Sequence, residues 1–267
     1  MSITAAMVKD LRERTGVGMM DCKKALSECD GDEEKAIAWL REKGLSKAAK
    51  KAGRATAEGL IAISVASDGK SAAMSELNCE TDFVAKNEEF IALAESLAKK
   101  ALELKTSSVD ALPADVTDLT GLIGKIGENM QVGQLAYVEV QGEGMIGTYV
   151  HSNKKLGVLV ELTGAATAEM AKDIAMQIAA ANPICVTPEQ IPAETLAKEK
   201  DIYLAQAKEE GKPAQIAEKI VEGRIRKYYQ EVCLREQVFI KDDKKTIKDL
   251  LGKNADIARF FRFAVGA

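Results

Sequence analysis

The hydrophobic period of this chain first changes near residue 60, and that change limits what it can fold into. Before it, apolar residues recur at helical spacing: Val8 and Leu11, then Cys22 and Leu26, then Ala36, Ile37 and Leu40. Such spacing lays one stripe along each of three short helices. Thr4 and Asp32 stand where a side-chain oxygen can cap a helix N-terminus, and Gly16, Gly31 and Gly44 stand where a left-handed residue can end one. Residues 1–46 therefore read as a compact three-helix module. Residues 47–58, rich in Ala and carrying Lys47, Lys50, Lys51 and Arg54, lack a large apolar face and read as a linker. From Leu60 the period is two: Ile61, Ile63 and Val65 alternate with small residues, Asp68-Gly69 offers a hairpin turn, and residues 71–78 return as a second strand.

The helical period then comes back. Asn87 caps a predicted helix whose buried stripe is Phe90, Ile91, Ala94, Leu97 and Ala98, and Leu119, Leu122, Ile123, Ile126 and Met130 mark another. Residues 135–140, 145–150 and 156–162 read as antiparallel strands, followed by a helix from Thr167 toward Pro183. Two units of hairpin followed by helix thus stand in tandem. Residues 192–229 read as two antiparallel helices split at Gly211-Lys212-Pro213, with Leu196, Tyr203, Ile216 and Ile220 as their seam. Residues 238–240 and 260–265 are expected as strands around a short helix at 246–251. The expected fold class is α+β: the three-helix module, then a two-part core of antiparallel sheets with helices on one face, with an antiparallel helical hairpin inserted. The expected boundaries are 59–133 for the first core subdomain, 134–187 and 227–267 for the second, and 188–226 for the hairpin.

Composition removes several classes of function. Of 267 residues 46% are hydrophobic and 29% charged, enough apolar mass for packed cores. The net charge of -4 argues against a chain that coats nucleic acid, DNA included, or an anionic membrane, although the first 54 residues carry 12 Lys and Arg against 9 Asp and Glu. One His, one Trp and 4% aromatics are thin material for imidazole chemistry or a ligand-stacking pocket. Five cysteines without a C-x-x-C pair encode neither a disulfide framework nor a zinc cluster, so reduced thiols are expected. No apolar window reaches the roughly 18 residues of a membrane span, and no hydrophobic signal core opens the chain; a cytoplasmic location is expected.

Several motifs invite functional readings. Gly142-Glu143-Gly144-Met145-Ile146-Gly147 spells the glycine pattern of a dinucleotide site, but Thr148-Tyr149-Val150 continues it as strand rather than helix, so a hairpin turn is expected. Gly121 to Lys125 is too short between its glycines for a phosphate loop, and direct nucleotide binding is not expected. His151 precedes a polar turn with nothing nearby to complete a catalytic pair or a metal site, which makes it a surface or partner-contact residue. The basic run from Lys47 to Arg54 offers an alternative reading as an RNA- or ribosome-binding module. Cys22 or Cys79 offers a thiol-enzyme reading. In Cys79-Glu80-Thr81-Asp82-Phe83-Val84, pattern alone makes Thr81 or Asp82 a helix cap and Phe83 a plug on the local core. Met19-Met20 reads as core filling or an adaptable contact surface. No cofactor or metal is expected.

Taken together, two segments are specific. Leu11-Arg12-Glu13-Arg14-Thr15-Gly16 with Gly18-Met19-Met20-Asp21-Cys22-Lys23-Lys24-Ala25-Leu26, followed by Thr81-Asp82-Phe83-Val84-Ala85-Lys86-Asn87, closely resembles the bacterial elongation factor Ts family. Lys125-Ile126-Gly127-Glu128-Asn129, His151, Gly211-Lys212-Pro213 and Val221-Glu222-Gly223-Arg224 follow in the family's order, so the resemblance spans residues 3–265. It implies a ubiquitin-associated-like N-terminal module and a guanine nucleotide exchange factor for the GTPase elongation factor Tu, acting by binding and without covalent chemistry. It further implies that Thr81, Asp82, Phe83 and Val84 form a wedge that dislocates the partner's Mg²⁺ site. This implication displaces the plug reading of Phe83. Arg12, Met19, Met20, Lys23, Ile126, Gly127, His151 and Ile240 are the implied partner contacts. The hairpin resembles a protrusion that mediates homodimer formation in some members. Many members continue with a C-terminal helical extension beyond the position where this sequence stops, at Ala267, so contacts made by that extension are not expected here.

Overall fold

In a computed structural model, the described residues are 3–211 and 213–266, with the side chains of 45–47 and 214 outside the description. Lys212, part of the expected hairpin break, therefore lies outside the described residues. Helices and antiparallel sheets combine in an α+β fold. The chain divides into two compact units, the first of residues 1–62, 75–136 and 264–267, the second of 63–74 and 137–263.

The first unit opens with α1 (Ala5–Thr15), α2 (Met19–Glu28) and α3 (Glu33–Lys51). Thr4 caps α1 by accepting the Met7 N–H, Asp32 caps α3 by accepting the Lys35 N–H, and Gly16 at φ 65° closes α1. Val8, Leu11, Cys22, Ala25, Leu26 and Ala36 meet in one small core, with Ile37, Trp39 and Leu40 at its rim. Burying a Leu side chain completely contributes about 1.5–3 kcal/mol toward docking such short helices on one another.

Next come β1 (Glu58–Val65) and β2 (Ser71–Cys79), joined at Asp68-Gly69, where Asp68 accepts the Lys70 N–H at 2.9 Å and Gly69 takes φ 68°. Then follow α4 (Asp82–Ala85), α5 (Glu88–Glu103), α6 (Ala114–Thr117), α7 (Thr120–Ile126) and β3 (Met130–Glu139). Asn87 caps α5 by accepting the Glu89 and Phe90 N–H groups, and the helix buries Phe90, Ala94, Leu97, Ala98 and Ala101. Ser75, fully buried, ties β2 to α5 by donating to the Ala94 carbonyl at 2.8 Å.

Two expected helix ends in this unit move. The helix expected to stop at Gly44 runs on to Lys51, through the start of the expected linker. Its support is tertiary: a Cβ at Gly124 would lie 3.3 Å from the Gly44 Cα, so α7 crosses α3 glycine on glycine and supplies packing that the Ala-rich sequence lacks. Conversely, the helix expected to reach Met130 stops at Ile126, because Gly127 at φ 93° closes it and Met130 opens β3.

The remaining elements are β4 (Gly144–Val150), β5 (Leu156–Gly164), α8 (Ala168–Ala181), α9 (Ala193–Glu209), α10 (Ala214–Val232), β6 (Val238–Phe239), β7 (Asp242–Thr246), α11 (Ile247–Leu251) and β8 (Ala255–Ala264). β4 and β5 pair antiparallel from Gly144 opposite Thr163 to Val150 opposite Gly157. The sheets run β1-β2-β3, β4-β5-β8 and β6-β7. The expected grouping of three consecutive strands is thus corrected: β3 pairs with β2, and β8, far along the chain, takes the free side of β5. An alternating period shows that a segment is a strand and is silent on its partner.

In the second unit Val158, Val160 and Leu162 of β5 pack with Ile174, Ala175 and Ile178 of α8, and with Leu234, Phe239, Ile247, Leu251 and Ile257. Gly147 permits this. A Cβ there would stand 2.3 Å from the Ala171 carbonyl oxygen, so α8 lies directly on the backbone of β4. The seam of α9 and α10 also differs from expectation. Ala207, Ala217, Val221 and Ile225 are buried, whereas Ile216 is half exposed. The buried stripe of α10 runs at intervals of four residues one place beyond Ile216, so that alanines stand where the two backbones approach. Among the described residues no helix is long and apolar enough to cross a membrane.

Candidate functional site

The site is a turn between β2 and α5, built from the end of one strand and the loop after α7. Past Cys79 the chain makes one short helix, α4, in which Val84 is buried and its neighbour Phe83 is 81% exposed. Two apolar side chains one residue apart on a helix point about 100° from each other, so anchoring Val84 in the core turns Phe83 outward. The residue before α4 is held from outside. Thr81 donates its N–H to Glu128 Oε2 at 3.0 Å and its hydroxyl to Glu128 Oε1 at 2.6 Å.

The flanks are fastened in the same way. Glu80 Oε1 accepts the Asn129 N–H at 2.6 Å and lies 3.4 Å from Arg54 Nη1; chiefly through the Asn129 bond, with help from Arg54, its carboxyl is held below the usual glutamate range. Asn129, buried, donates its side-chain amide to the Arg54 carbonyl at 2.8 Å. Cys79 donates its thiol to the Thr81 carbonyl, and Lys86 pairs with Asp82 at 2.6 Å on the outer side. Polar contacts on both flanks of the turn thus present one exposed phenylalanine.

The plug reading of Phe83 is overturned by its exposure. Thr81 does stand at the cap position, but its hydroxyl is spent on Glu128 rather than on the helix. Ile126, half-buried, and Gly127, which ends α7, lie immediately before Glu128 and so belong to the same frame. Arg12, Met19, Met20 and Lys23 are exposed on α1 and α2 of the same unit, Met20 at 76%. His151 and Ile240 belong to the second unit. His151 is exposed just past β4, its Nδ1 sharing a hydrogen bond with the Tyr149 hydroxyl at 2.8 Å. Ile240 is half exposed between β6 and β7, its N–H held at 2.9 Å by the buried Gln177, while Lys241 beside it pairs with Asp173. Pattern did not mark Glu128, Asn129, Glu80 or Gln177, and it marked Arg54 only as part of the basic run. Their partners lie 26 or more residues away, and no local spacing marks such pairs.

Two other readings fail on geometry. The glycine pattern at 142–147 turns at Gly142 and continues as β4, so no helix N-terminus meets a pyrophosphate. Cys22 and Cys79 are fully buried, and burial pushes the Cys79 thiol up to about 12, opposite to an activated thiolate. Of the basic run, Lys50 and Lys51 are in the last turn of α3, Arg54 faces Glu80, and the Lys47 side chain lies outside the described residues. Among the described residues no group of three or more His, Cys, Asp or Glu is placed to hold a metal.

A family model described as Elongation factor TS matches residues 80–267, which takes in the whole turn and its Glu128 anchor. The chain belongs to the elongation factor Ts family. Full-length relatives agree: the elongation factors Ts of Nitratidesulfovibrio vulgaris strain DP4, Clostridium botulinum strain Alaska E43 and Thioalkalivibrio sulfidiphilus are each 50% identical. Those alignments cover 100%, 99% and 100% of this chain and 96%, 93% and 93% of the relatives. They include the three-helix module that the family model leaves out. As a member of the family, the chain is a translation elongation factor.

Proposed function

We propose that this chain is a guanine nucleotide exchange factor for elongation factor Tu, and that it works by binding alone, in the cytoplasm. The observation that carries the reading is Phe83, an exposed aromatic on a short helix whose entry is fastened by Glu128. Seating such a ring between partner helices recovers about 2–3 kcal/mol of buried apolar surface, and the rigid frame passes that energy to the partner as displacement rather than losing it in its own ordering.

The target of that displacement is the partner's Mg²⁺ site. Mg²⁺ demands near-octahedral geometry and bridges nucleotide phosphates with few protein ligands, so small shifts there weaken GDP. Asp82 and Phe83, with Thr81 and Val84 as support, form the wedge. Arg12, Met19, Met20 and Lys23 dock the three-helix module, Ile126 and Gly127 extend the wedge surface, and His151 and Ile240 supply contacts from the second unit. A factor that binds nucleotide-free Tu more tightly than GDP-bound Tu lowers GDP affinity by the same ratio, after which GTP rebinds.

The deciding experiment is release of a fluorescent GDP analogue from elongation factor Tu at fixed Mg²⁺ with excess unlabelled GDP. Acceleration at substoichiometric amounts of this chain supports the reading; an unchanged rate removes it. The RNA-binding alternative has less behind it, since Arg54 is engaged by Glu80, and steeply salt-dependent RNA affinity is the result that would restore it. Homodimer formation through the α9–α10 hairpin rests on the exposed Ile202 and Ile216 and is read by sedimentation.

A further inference from the structure

Two cysteines meet at the neck of the helical hairpin. Cys185 precedes α9 and Cys233 follows α10, and they are direct partners in an isolated parallel bridge. The backbone around them is pinned: the Ile184 and Cys185 N–H groups donate to the Val232 carbonyl, Leu234 N–H donates to the Cys185 carbonyl, and Arg235 N–H donates to the Val186 carbonyl. The two sulfurs stand 3.6 Å apart, and both thiols are free. Neighbouring strands lie about 4.8 Å apart, inside the Cα separation that disulfides take. Side-chain rotation alone can therefore close the gap. Exposure is unequal, with Cys185 half-buried and Cys233 fully buried, so Cys185 is the residue that a small oxidant meets first.

We propose that Cys185 and Cys233 are a redox modification site, at which hydrogen peroxide converts the dithiol to a disulfide that locks the neck of the hairpin. Cys185 sulfur attacks one peroxide oxygen, the O–O bond breaks, and a sulfenic acid and water result. Cys233 sulfur then attacks the Cys185 sulfur, the S–O bond breaks, and a second water leaves as the S–S bond forms. Two thiols and one peroxide give one disulfide and two waters, and a small dithiol reductant reverses the change. Burial raises both thiols, Cys233 to about 12, so the resting pair is protonated and its oxidation slow; what makes the pair a site is the 3.6 Å contact of the two sulfurs, not an activated thiolate. The disulfide encloses α9 and α10 in one covalent loop, constraining that segment's unfolded state. Nothing in this chemistry depends on the exchange-factor reading.

The test is made on the full chain, purified in reductant, freed of it and exposed to equimolar hydrogen peroxide. Remaining thiols are alkylated under denaturing conditions and the digest is mapped by mass spectrometry. The expected result is loss of two of the five thiols, a cross-linked peptide joining Cys185 to Cys233 within one chain, and full reversal by dithiothreitol. In Cys233→Ser the same treatment leaves Cys185 as a sulfenic acid that dimedone traps. Earlier consumption of Cys22, Cys29 or Cys79, a cross-link between chains, or five intact thiols would each overturn the proposal. The wild-type peptide map decides the matter even if the variant fails to fold.

Discussion

Glu128 holds Thr81 at two points, one carboxylate oxygen on the backbone N–H at 3.0 Å and the other on the hydroxyl at 2.6 Å. An ionised acceptor makes both bonds stronger than neutral ones. The loop after α7 therefore sets the angle at which α4 starts, and with it the direction of Phe83.

Glu128→Ala removes both acceptors and leaves the Thr81 N–H unpaired in a half-buried position. The expected loss is about 1.5–3 kcal/mol in urea unfolding, the range for bonds to a charged group. GDP release from elongation factor Tu should slow as well, by roughly tenfold for each 1.4 kcal/mol lost from wedge alignment. Normal exchange in a measurably destabilised Glu128→Ala would show that the anchor serves folding only.

Phe83 and Val84 separate function from stability. Phe83→Ala removes an exposed ring and should leave stability within about 0.5 kcal/mol, while lowering the exchange rate much more than docking affinity. Val84→Ala deletes two buried carbons and should cost about 1.5 kcal/mol of stability. Chemical denaturation beside GDP-release kinetics measures both, and a Phe83→Ala protein exchanging at the wild-type rate would end the wedge mechanism.

Gly147 is a steric requirement, since its φ is not in the left-handed region but a Cβ would meet the Ala171 carbonyl oxygen at 2.3 Å. Gly147→Ala must push α8 off β4, with an expected cost of about 1–3 kcal/mol or more, as for overpacked cores. A fall in melting temperature checks this, and an unaltered melt would mean that α8 shifts freely.

Glu80 gives the frame a pH dependence. Its folded pKa is lowered, first by the Asn129 N–H and then by Arg54, so its contribution is complete above the ordinary glutamate pKa of about 4.3 and is lost as pH falls through the lower folded value. Wild type should exceed Glu80→Gln in urea midpoint at neutral pH, and the two should converge as pH falls through the lowered folded value. A gap that is constant with pH would mean that the carboxylate charge is irrelevant.

Much of this was legible from spacing and composition. The caps at Thr4, Asp32 and Asn87, the hairpin at Asp68-Gly69, the strand at Gly144 to Val150 and the break between α9 and α10 all rest on chemistry within a few residues. The same short-range rules misplaced the ends of α3 and α7, and they made Phe83 a plug, because an apolar residue beside a cap has no local signal for which way it points. What marked Phe83 as a contact residue was the whole motif from Thr81 to Asn87, through the family resemblance rather than through periodicity.

The sequence by itself determined the local elements, their capping residues and the family, since each depends on side chains near one another in the chain or on order along it. Tertiary structure alone decided that β3 joins β2 while β8 joins β5, that α3 continues across Gly124, that Glu128 reaches Thr81, and that Cys185 faces Cys233. Each of those joins residues far apart in sequence, through backbone groups, glycine contacts or single polar atoms that leave no period to read. Packing chooses them, because only the assembled core determines which distant surfaces can close without stranding a buried polar group.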